Sequence, residues 1–336
     1  MQLVIIAGGF GTRLRPLTLR RPKALVPLLN RPQILHLFDR VPRSVDQVFV
    51  AVNYMFEEVR DFFREIHLRP QVTVVHEPEP LGTAGAIKNL KDQIEGTFVA
   101  VNGDVIDSLD LDALVAFHRS RGRAGTLAVV PVEDPSGFGV VALDGEIVTR
   151  FVEKPPRDAA PSNLINAGRY VFEPKVLDLI PDGKQVSLER EVFPLLTREG
   201  LCAYRYDGLW SDAGTLASYL HAQALLLDAG GAGIANDADV RKAQLHPPVL
   251  IGTATSVEGT IGPHSVVGAG CRIGRATIEN ATLFDRVSVD DKAHVLGSVI
   301  GARAAIGEGA RVRESIVGDG VQIPPHADLV GARVAP

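Results

Sequence analysis

The residues best suited to chemistry lie near the start of the chain. A short apolar run, residues 2–7, opens into Gly8-Gly9-Phe10-Gly11-Thr12-Arg13. Glycines let backbone N–H groups converge on an anion, and the Thr12 hydroxyl adds a donor. The spacing matches neither a dinucleotide fingerprint nor a P-loop, since no Gly-Lys-Ser/Thr follows. A glycine turn alone can also serve a purely conformational end. Arg13, Arg15 and the pair Pro22-Lys23 place cations beside it. That combination suits a triphosphate whose leaving group is pyrophosphate.

Other reactive side chains carry less. His36, His76, His118 and His221 stand in no nucleophile or zinc motif, so they read as core or surface groups. Cys202 and Cys271 form neither a disulfide framework nor a metal spacing and read as small buried hydrophobes. A net charge of -5 gives no support for a general nucleic-acid or membrane surface. The basic stretch from Arg13 to Lys23 lacks the interleaved aromatics of a nucleic-acid site. No run is long enough to span a bilayer, and residues 3–7 are too short for a signal segment. The expectation is a cytoplasmic enzyme with small-molecule partners.

Elements that could position a phosphate loop surround it. Residues 2–7, 48–52, 72–75 and 97–101 are Val- and Ile-rich runs that read as buried strands. Residues 57–66 read as a helix, and Ala84, Ile87, Leu90 and Ile94 place an apolar stripe on another. Alternating strand and helix imply an α/β domain with a mostly parallel sheet, whose ligands bind beyond the carboxyl ends of the strands. From Ile251 onward the pattern changes. Aliphatics recur at Ile251, Val257, Ile261, Val267 and Ile273, then from Val289 to Leu329, mostly six residues apart and often followed by Gly. That is the hexapeptide period of a parallel β-helix. Glu279 interrupts it at an expected inward position. The boundaries implied are a catalytic domain over residues 1–228, a connector over 229–248 and a repeat domain over 249–336.

The segment Gly8 to Thr18 with Pro22-Lys23 resembles the signature of the nucleotide-sugar pyrophosphorylases. It is most similar to mannose-1-phosphate guanylyltransferases and the related long glucose-1-phosphate thymidylyltransferases. Further matches follow in order: Glu79-Pro80-Leu81-Gly82-Thr83-Ala84-Gly85, Asn102-Gly103-Asp104, Phe138-Gly139-Val140, Phe151-Val152-Glu153-Lys154-Pro155, Asn166-Ala167-Gly168 and Trp210-Ser211-Asp212-Ala213-Gly214-Thr215. The resemblance implies a Rossmann-like nucleotidyltransferase domain with a left-handed β-helix behind it. It implies catalysis through Arg13, Lys23 and Asp104. Nucleotide contacts fall on Ala7, Gly8, Gly9, Gly11, Thr12, Glu77, Gly82, Thr83 and Asn102. Asp104 pairs with Asp212 around Mg²⁺, which favours carboxylate and phosphate oxygens. By the same resemblance Glu153 meets sugar hydroxyls, Lys154 meets the sugar phosphate, and Gly139, Asn166 and Gly168 complete the sugar pocket. Taken singly, Asp104 could be a turn residue and Asp212 a helix N-cap.

Base preference turns on Glu77. Relatives that use thymidine or uridine triphosphates tend to carry Gln at this position, five before Gly82. An ionised carboxylate only accepts hydrogen bonds, and guanine offers two adjacent donors. Glu77 therefore favours GTP if it faces the base; otherwise it is a solvent-facing loop residue. Thymidylyl or uridylyl transfer is the alternative, and the sugar stays open among mannose, glucose and N-acetylated sugars. Two readings from other classes are an acyltransferase using His264, His294 or His326, and a regulatory homologue without activity. A β-helix exposes broad faces, so a homo-oligomer is expected.

Overall fold

The structure is a computed structural model that describes residues 1–336. The chain forms two compact units, one of residues 1–9 and 37–210, the other of residues 10–36 and 211–336.

The first unit is built on nine strands: β1 Gln2–Ile6, β2 Gln47–Val52, β3 Gln71–His76, β4 Phe98–Asn102, β5 Gly125–Pro131, β6 Gly139–Asp144, β7 Ile147–Glu153, β8 Leu164–Phe172 and β9 Leu201–Arg205. They form one sheet in the order β3-β2-β1-β4-β8-β5-β9-β7-β6. β1 lies between two parallel neighbours, so Leu3, Val4 and Ile5 are all buried, as an unbroken apolar run requires. The parallel reading holds for β3, β2, β1 and β4. Beyond them β8 runs antiparallel to β4 and β5, and β6–β7 is a hairpin, so the far half is mixed. Helices α1 (Phe56–Glu65), α2 (Gly82–Lys88) and α3 (Leu111–Arg121) connect strands. α2 stops short of the expected stripe; Leu90 and Ile94 follow it around a 3₁₀ turn at Lys91–Gln93. Helix α4 (Phe193–Glu199) brings Phe193 against Phe151, Tyr170 and Phe172, an aromatic cluster at the centre of the core. Cys202 and Cys271 are free and buried.

The second unit is a parallel β-helix with three sheets of seven, six and five short strands. Val267 pairs with Leu283 and Ile300 with Val317, so each coil takes 16 or 17 residues. The aliphatics picked out by the hexapeptide period from Val257 through Ile323 fill its interior, and Ile251 is buried as well. The interruption at Glu279 is resolved by one position. Ile278 turns inward and Glu279 faces out, because a strand residue and its successor point to opposite faces. Residues 229–248, read as a connector, contribute two strands, Gly233–Ile234 and Gln244–Leu245, which pair with later coils. His264 and His326 sit at coil corners in the left-handed region, with φ 52° and 61°, while His294 faces out from a strand.

Residues 10–36 fold with this β-helix. Asn30 Nδ2 donates to Val267 O at 2.9 Å, and Arg21 pairs with Asp319 while lying 5.1 Å over the Phe284 ring. Helix α5 (Leu216–Leu226) packs here too, its Tyr219 hydroxyl donating to Pro27 O and its buried Gln223 Nε2 to His264 O at 2.9 Å. These partners lie far apart in sequence, which is why strand and helix patterns alone assign residues 10–36 to the catalytic half.

Candidate active site

In the first unit the candidate residues gather at the carboxyl ends of β1, β2, β3 and β4, where such sheets bind ligands. The Ala7 N–H continues the ladder to Ala51 O at 2.9 Å, and the chain then leaves the sheet through Gly8 and the exposed Gly9. Glu77, just past β3, stands against Gly8: a Cβ on that glycine would lie 3.3 Å from Glu77 Oε1. Glu77 is only 2% exposed. Its Oε2 accepts from Leu81 N at 3.3 Å, while Oε1 is buried without a hydrogen-bond partner. Burial pushes the carboxyl above its usual range, partly offset by the Leu81 N–H. Asn53 Nδ2 holds the Glu77 carbonyl at 2.7 Å. A buried acceptor that no donor reaches is costly, and a ligand that donates to it would remove that cost.

Gly82 begins α2 with φ 73°, and a Cβ there would lie 2.5 Å from Val186 O, so no other residue fits. Thr83 is engaged by the fold: its hydroxyl donates to Glu189 Oε2 and accepts from Leu188 N, each at 2.8 Å. The turn Asn102-Gly103-Asp104 follows β4. Gly103 N donates to Ile6 O at 2.9 Å, tying this turn to the end of β1. Asn102 Oδ1 is buried without a partner. Asp104 is half-buried beyond it.

The sugar-side candidates form a second cluster. Glu153 ends β7 half-buried, its carboxyl raised by burial and then by the Glu189 carboxylate, with Lys154 Nζ 3.8 Å from Oε1. Glu153 Oε2 lies 3.0 Å from where a Gly139 Cβ would stand. Asn166 Oδ1 accepts from Gly168 N at 3.0 Å and Asn166 Nδ2 donates to the buried Tyr170 hydroxyl at 2.8 Å. Gly168 packs directly on the Asn102 side chain, joining the two clusters.

In the second unit, Gly11 takes φ 60° at the head of the turn Thr12–Leu14, and Thr18 Oγ1 donates to its carbonyl at 2.8 Å. Lys23 is 9% exposed and begins a turn closed by Val26 N to Lys23 O at 3.0 Å. Arg13 Nη2 lies 3.9 Å from Asp212 Oδ2. A Cβ at Gly214 would lie 2.5 Å from Arg13 Nη2, so the missing side chain is the guanidinium's space. Asp212 is no helix cap; Thr215 caps α5 in a capping box with Ser218. No group of three or more His, Cys, Asp or Glu forms a metal cage. A Mg²⁺ ion entering with its nucleotide needs one or two carboxylates, the rest of its shell being phosphate and water.

Residues 2–229 match the nucleotidyl transferase family and residues 237–336 match the GMPPB C-terminal domain. Mannose-1-phosphate guanylyltransferase 1 of Arabidopsis thaliana is 35% identical over 359 residues, covering 100% of this chain and 96% of that protein. The mannose-1-phosphate guanylyltransferase of Mycobacterium tuberculosis is 38% identical, covering 85% of this chain and 80% of its own. The chain belongs to the mannose-1-phosphate guanylyltransferase family of nucleotidyl transferases. HddC from Yersinia pseudotuberculosis, solved with GMP-PN, superposes with a TM-score of 0.57 at 28% identity, covering 66% of this chain and 97% of that one. A UDP-glucose pyrophosphorylase superposes with a TM-score of 0.59 at 21% identity, which speaks to the fold alone. No helix is long and apolar enough to cross a membrane.

Against this family background, sequence patterns missed several supporting residues. Arg169 is 1% exposed; its guanidinium donates to the carbonyls of Asn102, Gly168 and Val105 at 2.9, 3.1 and 2.8 Å. Asp107 Oδ2 lies 2.6 Å from Arg169 Nη2, a buried ion pair. The only sequence signal was an arginine inside the apolar run of β8. Glu189, between Thr83 and Glu153, carried no signal at all.

Proposed function

We propose that the protein transfers the guanylyl group of GTP to mannose 1-phosphate, giving GDP-mannose and pyrophosphate. The observation that carries the choice of base is the buried, unpartnered Oε1 of Glu77 beside Gly8. Guanine N1–H and the exocyclic amine are adjacent donors that suit this carboxylate; thymine and uracil present acceptors that repel it.

In this reading a phosphate oxygen of the sugar 1-phosphate attacks the α-phosphorus in line, and the P–O bond to pyrophosphate breaks. The nucleophile is already an anion, so no general base is needed, and positioning with charge neutralisation supplies the catalysis. Gly8, Gly9, Gly11 and Thr12 offer donors to the phosphates, Arg13 takes the developing pyrophosphate charge and Lys23 the α-phosphate. Ala7, Gly82, Thr83 and Asn102 shape the nucleotide site. Asp104 and Asp212 are hard carboxylates that would hold Mg²⁺, which neutralises phosphate charge when bound. Glu153, Asn166 and the backbone at Gly139 and Gly168 bind sugar hydroxyls, and Lys154 the sugar phosphate. We assign residues 1–228 to this chemistry and residues 249–336 to assembly as a homo-oligomer in the cytoplasm. In support of assembly, Leu296 and Val330 are exposed in one outward row with Glu279 and Arg313.

A matrix of sugar 1-phosphates against GTP, dTTP, UTP and ATP tests the reading through pyrophosphate release. GTP with mannose 1-phosphate is expected to dominate; dominant turnover with dTTP or UTP refutes the use made of Glu77. A single chain mass in solution would refute assembly.

A further inference from the structure

The seven-stranded sheet of the β-helix has an outward row whose residues are paired coil to coil: Leu250, Val266, Thr282, Val299, Ile316 and finally Arg333. Val266, Thr282, Val299 and Ile316 are buried although they point away from the interior. Residues 10–36 and α5 cover this sheet through the Asn30, Tyr219 and Gln223 contacts described above. The row is apolar because it is a packing surface, and at its last position a guanidinium replaces the aliphatic.

Arg333 opens onto a cleft of about 460 Å³, lined also by Thr12, Arg13, Arg15, Leu19 and Thr215. Three arginines and two threonines line it with no carboxylate among the lining residues; Asp212 lies 3.9 Å from Arg13. Like charges so gathered repel one another unless an anion joins them. Guanidiniums bind phosphate oxygens in bidentate fashion, and Thr12 and Arg13 belong to the loop assigned to the leaving group.

We propose that this cleft is a pyrophosphate subsite, and that Arg333 of the β-helix, with Arg15, completes the leaving-group site begun by Thr12 and Arg13. The inference rests on the proposed reaction and adds a role for the β-helix in it. Arg333 and Arg15 touch the departing anion, so the last coil contributes to substrate binding as well as to assembly.

The test is calorimetric binding of inorganic pyrophosphate to the full chain, joined to the reverse reaction with GDP-mannose. Arg333→Ala and Arg15→Ala are each expected to raise the pyrophosphate Kd and KM by about tenfold, with the GDP-mannose KM within about twofold of the parent. Arg311→Ala removes an exposed cation from another sheet of the β-helix and controls for net charge. Unchanged pyrophosphate affinity in Arg333→Ala overturns the inference, as does an equal loss in Arg311→Ala. A third arm uses inorganic phosphate: binding that depends on Arg333 yet does not compete with pyrophosphate marks a separate phosphate site and also overturns it. Arg333-dependent pyrophosphate binding in a protein that makes no GDP-mannose would sustain the subsite while removing the proposed substrates. A parent chain that binds no pyrophosphate would remove both.

Discussion

Replacing Arg169 by methionine tests how the Asn102-Gly103-Asp104 turn is held. The Arg169 guanidinium is buried and pins carbonyls on both sides of that turn, Asn102 O and Val105 O, while Asp107 balances its charge. Methionine keeps most of the volume but strands the Asp107 carboxylate at 6% exposure. Breaking one side of a buried pair costs about 3–5 kcal/mol. For a domain of this size that lowers Tm by roughly 6–20 °C without unfolding it at 25 °C. Freed of its pins, the turn shifts Asp104, and displacement on the order of 1 Å costs about 10²-fold in turnover. Adding Asp107→Asn removes the stranded charge yet keeps the Oδ1 acceptor that Leu109 N uses at 2.9 Å. The double variant should therefore recover most of the lost stability, read by thermal unfolding. It should not recover kcat, read by pyrophosphate release, and it should need more Mg²⁺ for half-maximal rate. If stability and turnover return together, the pair is only a structural brace. Parent-like turnover in Arg169→Met alone would refute the reasoning outright.

Glu77→Gln should shift preference away from GTP in the substrate matrix, because the amide presents a donor where the carboxylate offered an acceptor. Its stability effect has a definite sign. The Glu77 carboxyl is raised in the fold by burial, so its stabilising contribution is full below the unfolded pKa and lost as pH rises through the folded one. Glu77→Gln should therefore raise the Tm of the ligand-free protein at pH 8 and leave it nearly unchanged at pH 4; a lower Tm at pH 8 would contradict the burial argument. Gly214→Ala places a methyl 2.5 Å from Arg13 Nη2, the mobile end of a side chain that can swing aside. Its Tm should hold while pyrophosphate KM rises severalfold, and a pyrophosphate KM equal to that of the parent would argue that Arg13 acts elsewhere. Asp104→Ala and Lys23→Ala should each lower kcat by about 10²–10³-fold with unfolding curves retained. Near-normal turnover in either would remove that residue from the chemistry.

Much of the fold was written in local pattern. The unbroken aliphatic run of β1 could only be a strand flanked on both sides, and the hexapeptide period could only be a solenoid, because both depend on residues a few positions apart. The register at Glu279 was not legible, since a one-residue slip exchanges inward for outward faces and only the neighbouring coils choose between them. The glycine loop with Arg13 and Lys23 likewise declared phosphate chemistry through composition and spacing alone.

What tertiary structure decided is which distant groups share a place. Glu77 could have been a solvated loop acid; its burial against Gly8 follows from β1 and β3 running parallel on either side of β2. Arg169 reads as an oddity in an apolar strand until β8 pairs with β4 and carries it beneath the turn before Asp104. Arg333 is an ordinary terminal cation until the last coil brings it to Arg13 and Arg15, more than three hundred residues earlier. Sequence determined the reaction class, because anion binding needs only a short stretch of glycines and cations. Burial, unpaired acceptors and charges gathered from far along the chain arise only when the chain closes on itself, and they decide base choice and the positioning of the site.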